Sequence, residues 1–338
     1  MPHSGTAVAN MENMDNLKTQ FAGLALRNPI IVSSCGRTAK AENNKAFEEA
    51  GAAAVVLKSL FEENISLQAD SMTDEFGHTE AADYMHGYLR SNMLHEYIEL
   101  IRESKRLCTI PIIASINCYS AGEWANFAEL IEKAGADALE LNVMDICTTK
   151  EYAAGDFERK HIEILDAVRK IVKMPIIVKL GSNLSNPVNL AERLYAHGAN
   201  AVVLFNRFYQ TDIDIEKMEY SSGSVFSAAT DLAAPLRWTG IVSAAVRNVD
   251  IAVSGGVHDG AAVVKSVLAG ASAVEVCSAL YQNGNEWIGS TLEYLAGWMQ
   301  LHNFASVQEF RGRLNAADPA HASRLERTQF LRYFEAVK

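Results

Sequence analysis

Gly198-Ala-Asn-Ala-Val-Val-Leu-Phe-Asn206 is a run of small residues followed by an apolar stretch that ends on a polar side chain, and the chain carries this phrase four times. The other copies begin at Gly51 (GAAAVVLKS), Gly135 (GADALELN) and Gly270 (GASAVEVCS). Each reads as a helix stopped by Gly, which tolerates the left-handed C′ conformation, and then a short strand buried on both faces. Between the copies lie four more apolar runs: Pro29 to Ser34, Pro111 to Asn117, Pro175 to Leu180 and Asp250 to Ser254. Two interleaved sets of four make eight strands with room for a helix in most gaps. That predicts an α/β fold, a (β/α)8 TIM barrel. The chemistry of such a barrel sits at the C-terminal strand ends, which here carry Ser33, Lys58, Asn117, Asn142, Lys179, Asn206, Gly255 and Ser278.

A chain of 338 residues suits one large barrel or two smaller domains, and the unbroken repeat favours the single domain. The expected organisation is a mobile N-terminal tail over 1–16, one barrel over 17–315 and a C-terminal helical extension over 316–338. The formal net charge of −11 argues against a nucleic-acid partner, because phosphate binding draws on clustered Lys and Arg. No apolar run approaches the roughly 20 residues that span a bilayer, and residues 1 to 17 lack a signal-peptide core. The reading is a cytoplasmic protein with no membrane partner. Five widely spaced cysteines, none in a C-x-x-C pair, disfavour a disulfide framework and a metal site alike. Cys108 and Cys277 read as core filler, and Cys147 as a loop cysteine after a strand end.

Two connections are longer than a helix and its turns need, the segments 59–110 after the second strand and 207–249 after the sixth. Both leave from the catalytic face, where long loops serve as lids, binding loops or interfaces. In the first, Asn92 to Arg106 reads as the barrel helix and Phe61 to Leu89 as extra loop. In the second, Tyr220 to Ser227 reads as extended, and Pro235-Leu-Arg-Trp238 precedes a helix running to about Val246. A lead-in hairpin is expected at Phe21 to Arg27. Helices are expected at Ser290 to His302, Ser306 to Leu314 and Arg324 to Ala336.

The strongest local motif is AVSGGVHDGAAVVKSVLAGASAVEVCSAL, residues 252–280. One strand ends in Ser254-Gly255-Gly256 at the mouth of a helix, and the next ends in Cys277-Ser278-Ala279 at the mouth of another. Glycines let backbone amides approach an anion closely, and helix N-termini add partial positive charge, so the two mouths together read as a phosphate site. The loops after strands seven and eight are its usual place in barrels.

With these residues in view, the chain resembles the FMN-dependent dihydroorotate dehydrogenases from about Leu17 to Leu314. The likeness rests on Asn28-Pro-Ile-Ile-Val-Ser-Ser34, Val56-Leu-Lys-Ser59, Leu139-Glu-Leu-Asn142, Val178-Lys-Leu180, Asn206 and the double-loop phosphate grip. It implies an oxidoreductase acting on CH-CH groups, with FMN across the barrel mouth. The phosphate would be held by Ser254, Gly255, Gly256, Cys277 and Ser278. The ring and ribityl chain would be contacted by Ser33, Ser34, Lys58, Ser59, Asn142, Lys179 and Asn206. A cation at Lys179 would stabilise the charge that develops as hydride reaches flavin N5. The resemblance also implies oxidation of dihydroorotate in pyrimidine biosynthesis, or of a similar small carboxylated ring compound, with a soluble electron acceptor and a homodimer.

The reacting loop departs from the family. There the strand-four Asn leads into S-C-P-N or S-S-P-N, whose Cys or Ser is the base; here the chain reads Asn142-Val-Met-Asp-Ile-Cys147-Thr-Thr149. Direct counting puts Asp145 at the base, with Cys147 two positions later. Asn92, Asn142, Asn206 and Arg207 are the candidate substrate contacts, and Lys58 joins Lys179 among the candidate catalytic cations. Two other classes stand beside this one: a barrel lyase or isomerase using Lys58 or Lys179 as Schiff-base nucleophile on a sugar phosphate, and a non-catalytic flavin-binding paralogue.

Overall fold

The structure, a computed structural model, describes residues 15–61, 79–117 and 124–326. Nearly all of the expected N-terminal tail, Cys118 and the expected helix beyond residue 326 lie outside the described residues.

A hairpin of β1 (Thr19–Phe21) and β2 (Leu24–Leu26) leads into β3 (Ile30–Val32), α1 (Ala41–Glu49) and β4 (Ala54–Val56). The two-residue β5 (Leu60–Phe61) precedes α2 (Thr79–Leu107). Strand and helix then alternate through β6 (Ile112–Asn117), α3 (Trp124–Ala134), β7 (Ala138–Val143), α4 (Asp156–Arg169), β8 (Ile176–Gly181), α5 (Pro187–Ala196) and β9 (Ala201–Asn206). A second hairpin, β10 (Thr211–Asp214) with β11 (Glu219–Ser222), and a tight turn at Ala229–Leu232 come before α6 (Ala233–Ala245). The remaining elements are β12 (Asp250–Ser254), α7 (Gly260–Ala269), β13 (Ala273–Val276), α8 (Ser278–Asn283), α9 (Glu286–Leu301), α10 (Val307–Phe310) and α11 (Pro319–Leu325). Parallel pairing runs β4-β3-β13-β12-β9-β8-β7-β6 and closes from β6 back to β4. This is the predicted eight-stranded barrel.

The repeated phrase has a packing reason. Its fourth residue (Ala54, Ala138, Ala201, Ala273) is fully buried in every copy and belongs to the cluster inside the barrel. Alternate strands of a barrel fill one interior layer together, so the four copies supply four side chains at one level. The other four strands supply Ile31, Ile113, Ile177 and Ala252 to the same cluster, and Phe21 and Leu26 of the lead-in hairpin close its lower end. Side chains two apart on a strand share a face. The next levels upward are therefore Val56, Glu140, Val203 and Glu275, and then Ser33, Ser115, Lys179 and Ser254. Above a dry floor of Ala and Ile, the interior turns polar just below the catalytic face.

Several boundaries differ from the sequence reading. The helix expected from Asn92 begins at Thr79; Ala81, Ala82, Met85 and Leu89 are strong helix formers that carry it through Gly87. Residues 79–89 of the expected loop are thus helical, and 62–78 lie outside the described residues. Pro235 lies inside the first turn of α6 rather than before the helix, where its missing N–H has no intrahelical partner to lose. The segment expected as extended pairs as β10–β11 only through Ser222. The helix expected over Ser306 to Leu314 is limited to Val307–Phe310, and the start of the C-terminal extension folds onto the barrel wall, with Ala316 N donating to Gly240 O at 2.9 Å.

Candidate active site

The polar level of the interior is one connected network. Lys179 on β8 donates to Ser33 Oγ at 2.9 Å and to Glu275 Oε2 on β13 at 2.5 Å, with Glu140 Oε1 on β7 at 3.7 Å. Ser33 Oγ donates in turn to Glu275 Oε2 at 3.0 Å. Beside it, Ser34 and Ser59 hydroxyls lie 3.0 Å apart and Ser59 and Ser115 hydroxyls 2.8 Å apart, while Asn206 Nδ2 donates to Asn142 Oδ1 at 2.7 Å. The strand ends of most of the barrel meet here because the β-pleat aims every second side chain at the axis.

Burial sets the protonation states. It penalises the Lys179 ammonium, but the Glu140 and Glu275 carboxylates outweigh that penalty and hold the lysine above its ordinary value. Burial also opposes ionisation of Glu275, and Lys179 overcomes it, so Glu275 is held below the usual carboxylate range. Glu140 goes the other way: burial first, and repulsion from Glu275 second, push it well above that range. Two carboxylates beside one ammonium are thus disfavoured, and the triad tends toward one ionised and one neutral carboxyl around Lys179. Both Glu140 oxygens and Glu275 Oε1 are buried with no hydrogen-bond partner of good geometry among the described residues, so the site retains unused polar capacity.

The expected phosphate grip is formed by two turns side by side. Gly255 and Gly256 follow β12 with φ of +91° and +74°, backbone that only Gly adopts readily. They do different jobs. A β-carbon at Gly256 would lie 2.1 Å from the Leu232 backbone nitrogen, so this glycine lets two backbone segments touch; one at Gly255 would meet nothing within 4 Å. Gly255 lines the cleft. The N-terminus of α7 is not part of the grip, because Asp259 caps it, its carboxylate accepting from Ala262 N at 2.7 Å. A strap from the excursion after β9 crosses the other turn: Ser227 N donates to Ser278 Oγ at 3.0 Å, and Ser227 Oγ lies 3.0 Å from His258 Nε2.

These groups line a cleft of about 150 Å3 that includes Ser33, Ser34, Lys179, Asn206, Gly255 and Ser278. Next to it is a space of about 410 Å3 that shares Phe205, Asn206, Arg207, Ser254 and Gly255. Arg207 stands at the partition, donating to Val225 O at 2.9 Å and Ser224 O at 3.0 Å, with Asp231 3.5 Å from Nε. The first space alone is smaller than the roughly 300–1,000 Å3 of a small-molecule site. A nucleotide-sized ligand therefore extends past Arg207 or displaces the strap.

Among the sequence candidates, Ser33, Ser34, Ser59, Asn142, Lys179, Asn206, Ser254, Gly255, Gly256, Cys277 and Ser278 surround this mouth. Lys58 follows β4 and is exposed, and Asn92 is exposed on α2 with its amide donating to Glu96 at 3.0 Å. Asp145 is half-buried with its carboxylate on Lys160 of α4 at 2.7 Å, and Asn183 Nδ2 donates to its backbone carbonyl at 3.0 Å. Cys147 is exposed on the same loop. Cys277 is half-buried beside Cys35 rather than core filler. The sequence reading missed Glu140 and Glu275. Their signal was available: an acidic residue in the middle of an otherwise apolar strand, at the same register in two copies of the repeat.

FMN presents an anionic phosphate and a pyrimidine edge of alternating acceptors and donors. The mouth offers both partners, with backbone N–H groups beside the open face of Gly255, and the Asn142–Asn206 amides, the serine hydroxyls and Lys179. The residues fit the group.

The family described as dihydroorotate dehydrogenase matches residues 78–299. The chain is 28% identical over 312 residues to the catalytic subunit of dihydroorotate dehydrogenase B (NAD(+)) of Thermoplasma volcanium, covering 88% of this chain and 98% of that protein. Its counterpart in Alkaliphilus metalliredigens is 28% identical over 313 residues, covering 88% and 99%. A putative dihydroorotate dehydrogenase A (fumarate) of Aeropyrum pernix is 28% identical over 236 residues, covering 66% and 73%.

Proposed function

Because this chain belongs to the dihydroorotate dehydrogenase family, whose members are FMN-dependent oxidoreductases acting on CH-CH groups, we propose that it oxidises dihydroorotate or a closely similar carboxylated ring at the mouth of the barrel. The observation that carries the proposal is the convergence of Lys179, the Asn142–Asn206 pair and the open glycine turn on one cleft. FMN, when bound, supplies the two-electron acceptor whose N5 takes the substrate hydride.

The protein's residues bind, orient and balance charge. Gly255, Gly256 and the Ser278 turn would hold the phosphate through backbone N–H groups. Lys179, fixed by Ser33 and Glu275, would offer the pyrimidine edge a cation already matched by a carboxylate. The Asn142 carbonyl is committed to Asn206, which leaves the Asn142 amide hydrogens for a bound ring. The Arg207 guanidinium closes one side and holds the strap through its two carbonyls.

Removal of the substrate proton falls to the loop after β7. The Asp145 carboxylate is already paired with Lys160, which anchors that loop, so we assign Cys147 as the base and Asp145 as a positioning residue. Positioned bases contribute about 10²–10⁴-fold. Cys147→Ala should thus lose that much of kcat for dihydroorotate while retaining FMN, whereas Asp145→Asn loses less. Full activity in Cys147→Ala would assign the base elsewhere.

Electrons leave to a soluble acceptor. The relatives named as catalytic subunits favour delivery through a partner subunit, and no helix among the described residues is long and apolar enough to cross a membrane. The β10–β11 hairpin exposes Ile213, Ile215, Met218 and Tyr220. We assign this face to a second copy of the chain, in a cytoplasmic homodimer. Sedimentation at micromolar concentration should return twice the monomer mass, and a monomer mass refutes the assignment.

A further inference from the structure

Cys35 and Cys277 lie far apart in sequence and meet because the barrel closes. β3 and β13 pair in parallel, with Ser33 N donating to Val276 O at 2.9 Å, so the chain leaves both strands at one level and the turns that carry Cys35 and Cys277 are neighbours. Thr38 N donates to the Cys35 carbonyl at 3.1 Å, and the groups that act on the Cys35 thiol are the Cys277 side chain first, then the backbone of Arg37 and Thr38 and the Tyr281 hydroxyl. The surroundings are tight. The Tyr281 hydroxyl would be 3.2 Å from a β-carbon at Gly36, and the Arg37 guanidinium lies 5.7 Å from the centre of the Tyr281 ring while donating to Leu280 O at 2.6 Å. Both cysteines are half-buried, so a small molecule can reach them.

This arrangement separates the two sulfurs chemically. The Cys277 hydrogen bond first, with the backbone and Tyr281 donors behind it and against the penalty of burial, lowers the Cys35 thiol to about 6. The bond to Cys35, then burial, pushes Cys277 up. One sulfur is a thiolate at neutral pH while its neighbour keeps its proton. Cys108, by contrast, is pushed up to about 11 by burial and stays inert. Thiolate is the nucleophilic form of cysteine.

We propose that Cys35 and Cys277 form a hydroperoxide-reactive dithiol, with Cys35 the attacking sulfur and Cys277 the resolving one. The Cys35 thiolate attacks one peroxide oxygen and the O–O bond breaks, giving a sulfenic acid at Cys35 and hydroxide, which takes a proton to become water. Cys277 then attacks the Cys35 sulfur, its proton leaves with the sulfenic oxygen as a second water, and the S–S bond forms. One hydroperoxide is reduced by two electrons as two thiols become one disulfide.

The consequence for the cofactor rests on the flavin reading; the disulfide does not. The S–S bond, about 2.05 Å long, ties the turn after β13 to the turn after β3 and so constrains Ser278, next in the chain after Cys277, against the strap at Ser227. The oxidised protein should bind FMN at least tenfold more weakly than the reduced one.

The test is peptide mapping of the purified FMN-loaded protein after one equivalent of hydrogen peroxide, without reductant. The expected result is a cross-linked Cys35–Cys277 peptide pair, two hydrogens lighter than the free peptides and restored by dithiothreitol. In Cys277→Ser the oxidation should stop at a Cys35 sulfenic acid that dimedone traps. Iodoacetamide at pH 7 should label Cys35 of the reduced protein faster than the more exposed Cys147. Recovery of both cysteines as free thiols while Cys147 oxidises, or slower labelling of Cys35, overturns the proposal even if no variant folds. Disulfide formation with unchanged FMN affinity leaves the dithiol standing and overturns its link to the cradle.

Discussion

Lys179→Met should lower the unfolding free energy by about 3–5 kcal/mol, because it strands the Glu275 carboxylate in a dry interior. The side chains of Lys179 and Glu275 are 6% and 0% exposed and their charged atoms 2.5 Å apart, so water cannot take over the role of the missing cation. For a chain of this size the loss corresponds to a fall in melting temperature of roughly 4–7 °C. The partner variant Glu275→Gln should cost less, because Glu140 stands 3.7 Å from Lys179 and can ionise once the charge that repels its own is gone. The double variant Lys179→Met/Glu275→Gln removes both charges and should return to within about 1 kcal/mol of the parent, as paired deletions of buried ions often do. Thermal denaturation of the four proteins gives the coupling directly. A Lys179→Met protein as stable as the parent would show that the lysine is not held in a buried ion pair.

The same cycle has a pH signature. Glu275 is held below its ordinary value of 4.5 in the fold, so its contribution is present above that value and fades as the pH falls through the lower folded one. Glu140 is raised, so its contribution is present below 4.5 and is lost as the pH rises through its folded value. In Lys179→Met the stranded Glu275 has no cation to hold it down and takes up a proton readily. The stability gap between variant and parent should therefore narrow as the pH is lowered below about 4.5.

Gly255→Ala should release FMN while barely changing stability, and Gly256→Ala should damage both. At Gly255 the added methyl meets no protein atom within 4 Å, so the cost to the fold is the strain of φ +91°, about 1 kcal/mol. The methyl nevertheless occupies the space through which a phosphate would approach the backbone, and FMN affinity should fall at least tenfold, or about 1.4 kcal/mol. At Gly256 the methyl would be 2.1 Å from Leu232 N and 2.7 Å from Leu232 Cα. Backbone must move, carrying the turn at Ala229–Leu232 and the strap before it, so stability should fall by more than about 2 kcal/mol. FMN fluorescence quenching and melting curves separate the two effects. Full FMN affinity in Gly255→Ala would remove that turn from the phosphate site.

Much of this arrangement could be read in the chain itself, for a definite reason. The four-fold phrase encodes an interior layer, and a layer of Ala at one level requires alternate strands of a closed barrel. The glycine turn and the polar strand ends are local signals, and they locate the mouth. Contacts that depend on closure are not local. Glu140 and Glu275 stand out as acids inside apolar strands, but their common partner comes from β8, and only the barrel axis brings the three together. Cys35 and Cys277 are 242 positions apart and meet only where the last strand pairs with the first. The early start of α2 and the place of Pro235 within α6 are hidden for another reason: Gly87 and Pro235 carry breaker signals that helix propensity and first-turn tolerance override.

Everything functional in this account depends on FMN seated at the glycine turn and within reach of an oxidisable ring. The direct measurement is anaerobic addition of dihydroorotate to the FMN-loaded protein while the visible flavin absorption is followed. The account predicts stoichiometric bleaching that reverses when an electron acceptor is added, and slower bleaching in Cys147→Ala. A protein that retains no flavin from excess FMN, or whose bound flavin stays oxidised at saturating dihydroorotate, would contradict it.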